Sequence, residues 1–158
     1  MVFDSRMTLK KVEGFLAASG YFTSVVIGER KTPPSGDSLS ADIWLKSMRV
    51  IRLYCNGGTA ESHVILIRIY RDLFALPIGD TEYILAKTVQ QVLSDILSAI
   101  HSFSYIFPID WGANIDSGGR MGQALRTDWG HVNIGGKMFR VADITLPLSV
   151  DDSATMAP

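Results

Sequence analysis

The stretch HVILIRIYR, residues 63–71, decides the fold. Side chains of a strand alternate between its two faces, so Ile65, Ile67 and Ile69 share one and Val64, Leu66, Arg68 and Tyr70 the other. Both faces are largely apolar, which is the pattern of a strand covered on both sides. A sheet must therefore be built around it, with this strand at its centre.

Moving outward, SADIWLKSMRVIRLYC (residues 40–55) reads as two strands. Ala41, Ile43 and Leu45 share one face, Ile51, Leu53 and Cys55 another, and Lys46 to Met48 lie near a bend. Asn56, Gly57 and Gly58 break the run before the central strand. Upstream, Leu9, Val12, Phe15 and Leu16 recur at three- and four-residue spacing between Arg6 and Ser19, and Gly20 follows as a stop. That predicts a short amphipathic helix. Phe22 to Ile27 is β-branched and aromatic, a strand that runs into the Pro-rich loop from Lys31 to Ser40.

Downstream, Asp80 or Thr81 can cap a long helix from about Glu82 to Ser102. Its apolar stripe is Leu85, Val89, Val92, Leu93, Ile96, Ile100 and Phe103. The opposite side holds Lys87, Gln90, Gln91, Ser94, Asp95 and Ser98, thinly charged for a solvated face. An ordinary exposed helix accounts for it, and so does a subunit contact. Tyr105 to Ile115 is strand-like although Pro108 and Gly112 interrupt it. Asp116 to Asp128 forms a Gly-rich loop with Arg120 and Arg126. Trp129 to Ile134 and Met138 to Leu148 then flank Gly135-Gly136, a two-residue hairpin signal. The expected fold is α+β: one domain over residues 1–150, mainly antiparallel sheet packed by a short N-terminal and a longer central helix. A C-terminal β-hairpin completes it, and a flexible tail covers residues 151–158.

With 158 residues, close to half of them apolar, the chain suffices for one sizeable core. A formal net charge of -1 leaves no basic stripe for phosphate neutralisation, which argues against a dedicated nucleic-acid binder. The lone Cys55 forms no internal disulfide and suits a reducing compartment. No signal peptide or stretch of ~20 apolar residues is seen, so a soluble protein is expected.

Catalytic patterns are sparse. Cys55 shares a strand phase with Ile51 and Leu53 and reads as a buried structural thiol. His63, His101 and His131 lie in separate elements without metal-ligand spacing. Asp110 and Asp116 would make a carboxylate pair only on a regular strand, which Pro108 and Gly112 disturb. SGGRMG (residues 117–122) offers backbone donors and an arginine but matches no phosphate-binding motif. No catalytic residue, cofactor or metal is expected.

The segment DWGHVNIGGKMFRVADITLPLSVDD, residues 128–152, resembles the C-terminal part of tail terminator proteins of long-tailed bacteriophages. The likeness extends in layout to residues 40–55, to SHVILIRIY (residues 62–70) and to the helix from about Glu82. It implies a structural subunit of a virion, assembled in the host cytoplasm, that forms a hexameric ring at the head-proximal end of the tail. Such a ring caps the tail tube, stops its polymerisation and offers a surface for head joining. Implied partners are further copies of the chain, the major tail tube protein and a head-completion or connector protein, with genomic DNA passing through the lumen and no membrane involved. Another head-to-tail connector of the neck is the alternative. A small α/β enzyme built on His101, Asp110 and Arg120 is the unrelated one. Arg120, Arg126, Lys87, Gln91 and Asp95 are the candidate protein-contact residues, chosen from loop and helix-face character.

Overall fold

The computed structural model of the chain describes residues 5–34, 39–53, 59–72, 77–101, 113–115 and 126–151. Helix α1 (Ser5–Ser19) leads into β1 (Ser24–Ile27), followed by the long strands β2 (Ser40–Leu53) and β3 (Thr59–Asp72). Helix α2 (Ile78–His101) precedes β4 (Ala113–Ile115), β5 (Arg126–Ile134) and β6 (Lys137–Asp151). The fold is α+β. The sheet runs β1-β2-β3-β6-β4, and β5 pairs with β6 on the same side as β4. Among the described strands β1 and β2 pair in parallel and the other pairs are antiparallel.

The 63–71 stretch is central as read: β3 pairs with β2 along one edge and with β6 along the other. On the first face of the sheet Ala41, Ile43, Ile65, Ile67, Ile69, Ala142, Ile144 and Leu146 are buried. Val12, Phe15 and Leu16 of α1 and Leu85, Val89, Val92 and Ile96 of α2 pack against them. Several large side chains here are fully buried, so the hydrophobic term is concentrated where helices meet sheet.

The second face closes differently. Gly135 and Gly136 take φ of 58° and 85°, the left-handed pair of a two-residue hairpin turn, and the Asn133 Oδ1 accepts the Gly136 N–H at 2.9 Å. A Cβ placed on Gly135 would stand 2.9 Å from Pro33 Cδ. The β5–β6 tip thus touches the loop between β1 and β2, although these elements lie on opposite sides of the strand order. The sheet curls, and at this end its second face closes over Tyr70, Ile134, Phe139 and Val141. Tyr70 and Phe139 meet edge to face at 5.5 Å.

Four readings of the sequence change. Residues 40–53 form one strand, because the irregularity near Lys46 is a shift of register between Leu45 and Ser47, a β-bulge and not a reversal. Helix α2 begins at Ile78: the Pro77 carbonyl accepts the N–H groups of Asp80 (3.0 Å) and Thr81 (3.1 Å). Asp80 lies within the first turn, and the buried Thr81 hydroxyl has no hydrogen-bond partner, so neither residue caps. The Gly/Arg loop stops short of Asp128, since β5 already starts at Arg126. Strand β6 runs on to Asp151, one residue into the expected tail. Asn56 to Gly58, Tyr105 to Gly112 and the remainder of the tail lie outside the described residues.

Candidate protein-contact surfaces

Asp42 is 1% exposed on the second face of β2, held there because its neighbours Ala41 and Ile43 are buried in the core on the first. Its carboxylate accepts three hydrogen bonds: Arg30 Nε (2.7 Å), the Arg30 backbone N–H (3.1 Å) and the Tyr70 hydroxyl (3.0 Å). The Arg30 guanidinium also stands 5.0 Å from the centre of the Tyr70 ring. Burial raises the pKa of Asp42, and the nearby Arg30 opposes that shift without cancelling it.

Arg68, the one charged residue of the central stretch's second face, lies opposite Asp143 in register. The two form a forked pair at 2.8 and 2.9 Å, and a third guanidinium nitrogen reaches Glu29 at 3.3 Å. Trp44 covers this guanidinium at 5.1 Å. The hydrogen bond that Arg68 donates to Asp143 raises the pKa of Arg68 further, so the cation persists at any accessible pH.

Glu29, Arg30, Asp42 and Arg68 line an open cleft of about 230 Å³ between the β1–β2 loop and residues 132–135. Arg30 answers Asp42 there, and Arg68 bridges Glu29 of the loop and Asp143 of β6, which makes a joint that fastens loop to hairpin. No nucleophile stands beside a base here. Among the described residues, no three His, Cys, Asp or Glu side chains are grouped to hold a metal ion.

The candidate contact residues are dispersed. Lys87 and Gln91 are exposed on the outer face of α2, next to the exposed Gln90 and Ser94. Asp95 is half-buried and accepts the Tyr21 hydroxyl at 2.8 Å, which ties the chain after α1 to α2 and raises the pKa of Tyr21. Arg126 lies on β5, exposed and paired with Asp128 at 3.1 Å. Arg120, Asp110, Asp116 and Cys55 fall outside the described residues, as do the side-chain surroundings of His101 at the end of α2. His63 is buried and His131 exposed, on different strands.

Sequence reading missed the exposed large apolar side chains Tyr83 (68%), Met48 (56%) and Trp129 (42%). Trp129 flanks Arg140, which is ion-paired to Glu82 of α2. Their signal was available only in part, since exposure depends on which strand ends up at an edge. No helix among the described residues is long and apolar enough to cross a membrane. The chain matches no known protein-family model and no curated protein sequence.

Proposed function

We propose that the chain is a structural virion subunit of the tail-terminator type. It closes into a ring, a hexamer, at the head-proximal end of a phage tail tube, stops tube growth and presents the surface to which the head is joined. The observation that carries this reading is surplus strand length. Strands β2, β3 and β6 have 14, 14 and 15 residues, whereas globular strands average about five or six. Among the residues whose side chains are described, the helix-covered core engages residues 41–45, 65–69 and 142–146, and the second cluster engages Tyr70, Phe139 and Val141. At ~3.3 Å per residue the strands run ~46 Å and that core ~17 Å. Strands of this length extend past the helix-covered layer and suit a subunit that pairs with its neighbours through strand edges.

The thinly charged outer face of α2, with Tyr83 and Lys87 exposed, offers a second contact region of the same kind. The resemblance in residues 128–152 supplies the assembly. The test is genetic and microscopic: particles that lack this chain should carry overlong or unjoined tubes beside filled heads, and complete particles should show a ring of it at the tube end. Tails of normal length with only head closure defective would assign the chain to another neck position.

A further inference from the structure

Resting on that ring reading, we infer that neighbouring copies join edge to edge, β2 of one copy adding antiparallel to β5 of the next so that one sheet runs through the contact. The first observation is that two strand edges carry no partner strand among the described residues. Strand β1 covers only Ser40 to Ile43 of β2, and beyond Ile43 no described strand lies alongside that edge. Lys46, Ser47 and Met48 are all exposed. The Gly28 N–H donates to the Ile43 carbonyl at 2.7 Å, so the backbone of Ile43 points away from β3. Counting alternate residues and allowing for the bulge at Lys46, the groups of Leu45, Met48 and Val50 point outward too, unpaired by any described strand. On the other side of the sheet β6 is the one described strand that pairs with β5, and Arg126, Asp128, Trp129, His131 and Asn133 are exposed.

The second observation selects the occupant. Met48 and Trp129 are the two exposed large hydrophobics on these edges, at 56% and 42%. Met48 stands opposite His63, in phase with Ile65, and Trp129 stands opposite Ala142, so both lie on the helix-covered face. A continuous sheet joining β5 to the next copy's β2 places them side by side, a sulfur-aromatic contact that removes both from water. Polarity agrees: β2 and β6 run one way and β3 and β5 the other, so β5 meets the next β2 antiparallel. With Met48 opposite Trp129, the register sets Arg49 opposite Asp128, residues of opposite charge at one cross-strand position.

The geometry closes as well. Met48 is level with Leu148 through β3, and Trp129 is level with Ala142, so each junction staggers the sheet by six residues along β6. Six is even, which keeps the faces in phase. That stagger is ~20 Å over four strands spanning ~19 Å, a strand tilt of about 45°. Closed barrels tilt their strands by about 35–45°. A contact between unlike edges repeats around a ring without using itself up, whereas a two-fold contact stops at a dimer.

Cysteines replacing Met48 and Trp129 test this, because residues opposite each other in an antiparallel pair are about 4.5–5.5 Å apart at Cα, within disulfide reach. In a Cys55→Ser background, which leaves no other thiol, the purified full-length M48C/W129C double variant, mildly oxidised, should give a ladder of covalent oligomers that ends at the ring. Either single variant should stop at a dimer. Cross-linking traps the contact even where the ring is transient. Within the double variant, Arg49→Asp or Asp128→Arg alone should reduce the ladder at least five-fold, and the two together should restore it. A parent chain that forms rings while the double variant gives no ladder overturns the edge pairing and leaves the ring reading intact. A parent chain that never self-associates, alone or in particles, together with no ladder, overturns both. Protection of the β2 edge from hydrogen exchange only when tail-tube protein is added would assign that edge to the tube and overturn the pairing between copies.

Discussion

Replacing Asp42 by alanine strikes the joint on which the second face depends. The substitution removes the acceptor for Arg30 Nε, for the Arg30 backbone N–H and for the Tyr70 hydroxyl, and Tyr70 is fully buried. Breaking a buried ion pair from one side costs about 3–5 kcal/mol. The low end applies, because Arg30 keeps weak contacts to the Ser24 hydroxyl (3.3 Å) and the Ala41 carbonyl (3.4 Å). The raised pKa of Asp42 also shows that its charge is held at some cost. A loss of about 3 kcal/mol is expected for Asp42→Ala. With a urea slope of ~2 kcal/mol/M, the midpoint should fall by about 1.5 M.

Asp42→Asn keeps an acceptor for Tyr70 and should cost less, about 1–2 kcal/mol, in keeping with loss of a charge-assisted bond. The pH dependence supplies an independent arm. Folding raises the pKa of Asp42 above its unfolded value, so its contribution is fully present below the unfolded pKa and is lost as pH rises through the folded one. The gap between parent and Asp42→Asn should therefore be wider in acid than at neutrality. Equilibrium urea unfolding at several pH values measures both effects. A midpoint for Asp42→Ala within experimental error of the parent would refute the view that this network fastens loop to hairpin.

Gly135→Ala should destabilise by about 1–2 kcal/mol, since a side chain at φ of 58° is strained and its Cβ would press on Pro33; thermal melts report it. Tyr21→Phe should flatten the alkaline arm of stability: the raised pKa means that the Tyr21 contribution is present below its unfolded value near 10 and lost as pH rises through the folded one. Spectroscopic titration of tyrosine against unfolding midpoint checks the sign. Arg126→Ala, at a largely exposed side chain, should shift stability by less than about 0.5 kcal/mol while weakening assembly, and a variant that unfolds would make this arginine part of the fold. Ile67→Ala, at a fully buried position, should cost about 2–5 kcal/mol in the same unfolding assay.

The central strand, both helices and the Gly135-Gly136 hairpin were legible because each rests on a local rule: alternation, three- and four-residue spacing, or turn chemistry. The bulge at Lys46 was not, since one inserted residue looks in sequence like a change of face at a bend. The start of α2 was missed because a side-chain cap was assumed where the Pro77 carbonyl takes the first N–H groups. The joint of Arg30, Asp42, Tyr70, Arg68 and Asp143 was invisible for another reason. Its bonded partners lie up to 75 residues apart, and strand pairing between β2, β3 and β6, which no single strand encodes, brings them together. Asp95 was chosen as a contact residue from its helix phase, and its bond with Tyr21 was not legible in the sequence.

The two ends of the sheet are thus built for different tasks. At the β1 end, where β5 curls over, charges are buried and mutually satisfied, and a glycine turn is wedged against a proline; movement there would expose Arg30 and Arg68 without partners. At the other end β2 runs past β1 with its backbone groups free of a described strand and with Lys46 and Met48 in solvent. An exposed edge invites indiscriminate pairing, and bulges and cations are the usual protection. Strand β2 has register shifts between Leu45 and Ser47 and between Val50 and Arg52, and Lys46, Arg49 and Arg52 punctuate it. Those features admit a partner strand that is matched in charge and stagger and disfavour a flat, uncharged one. If the edge serves assembly in this way, neutralising Lys46, Arg49 and Arg52 together should increase irregular aggregation and reduce ring formation. Light scattering separates the two, and a triple variant that stays monomeric and soluble would show that the cations guard nothing.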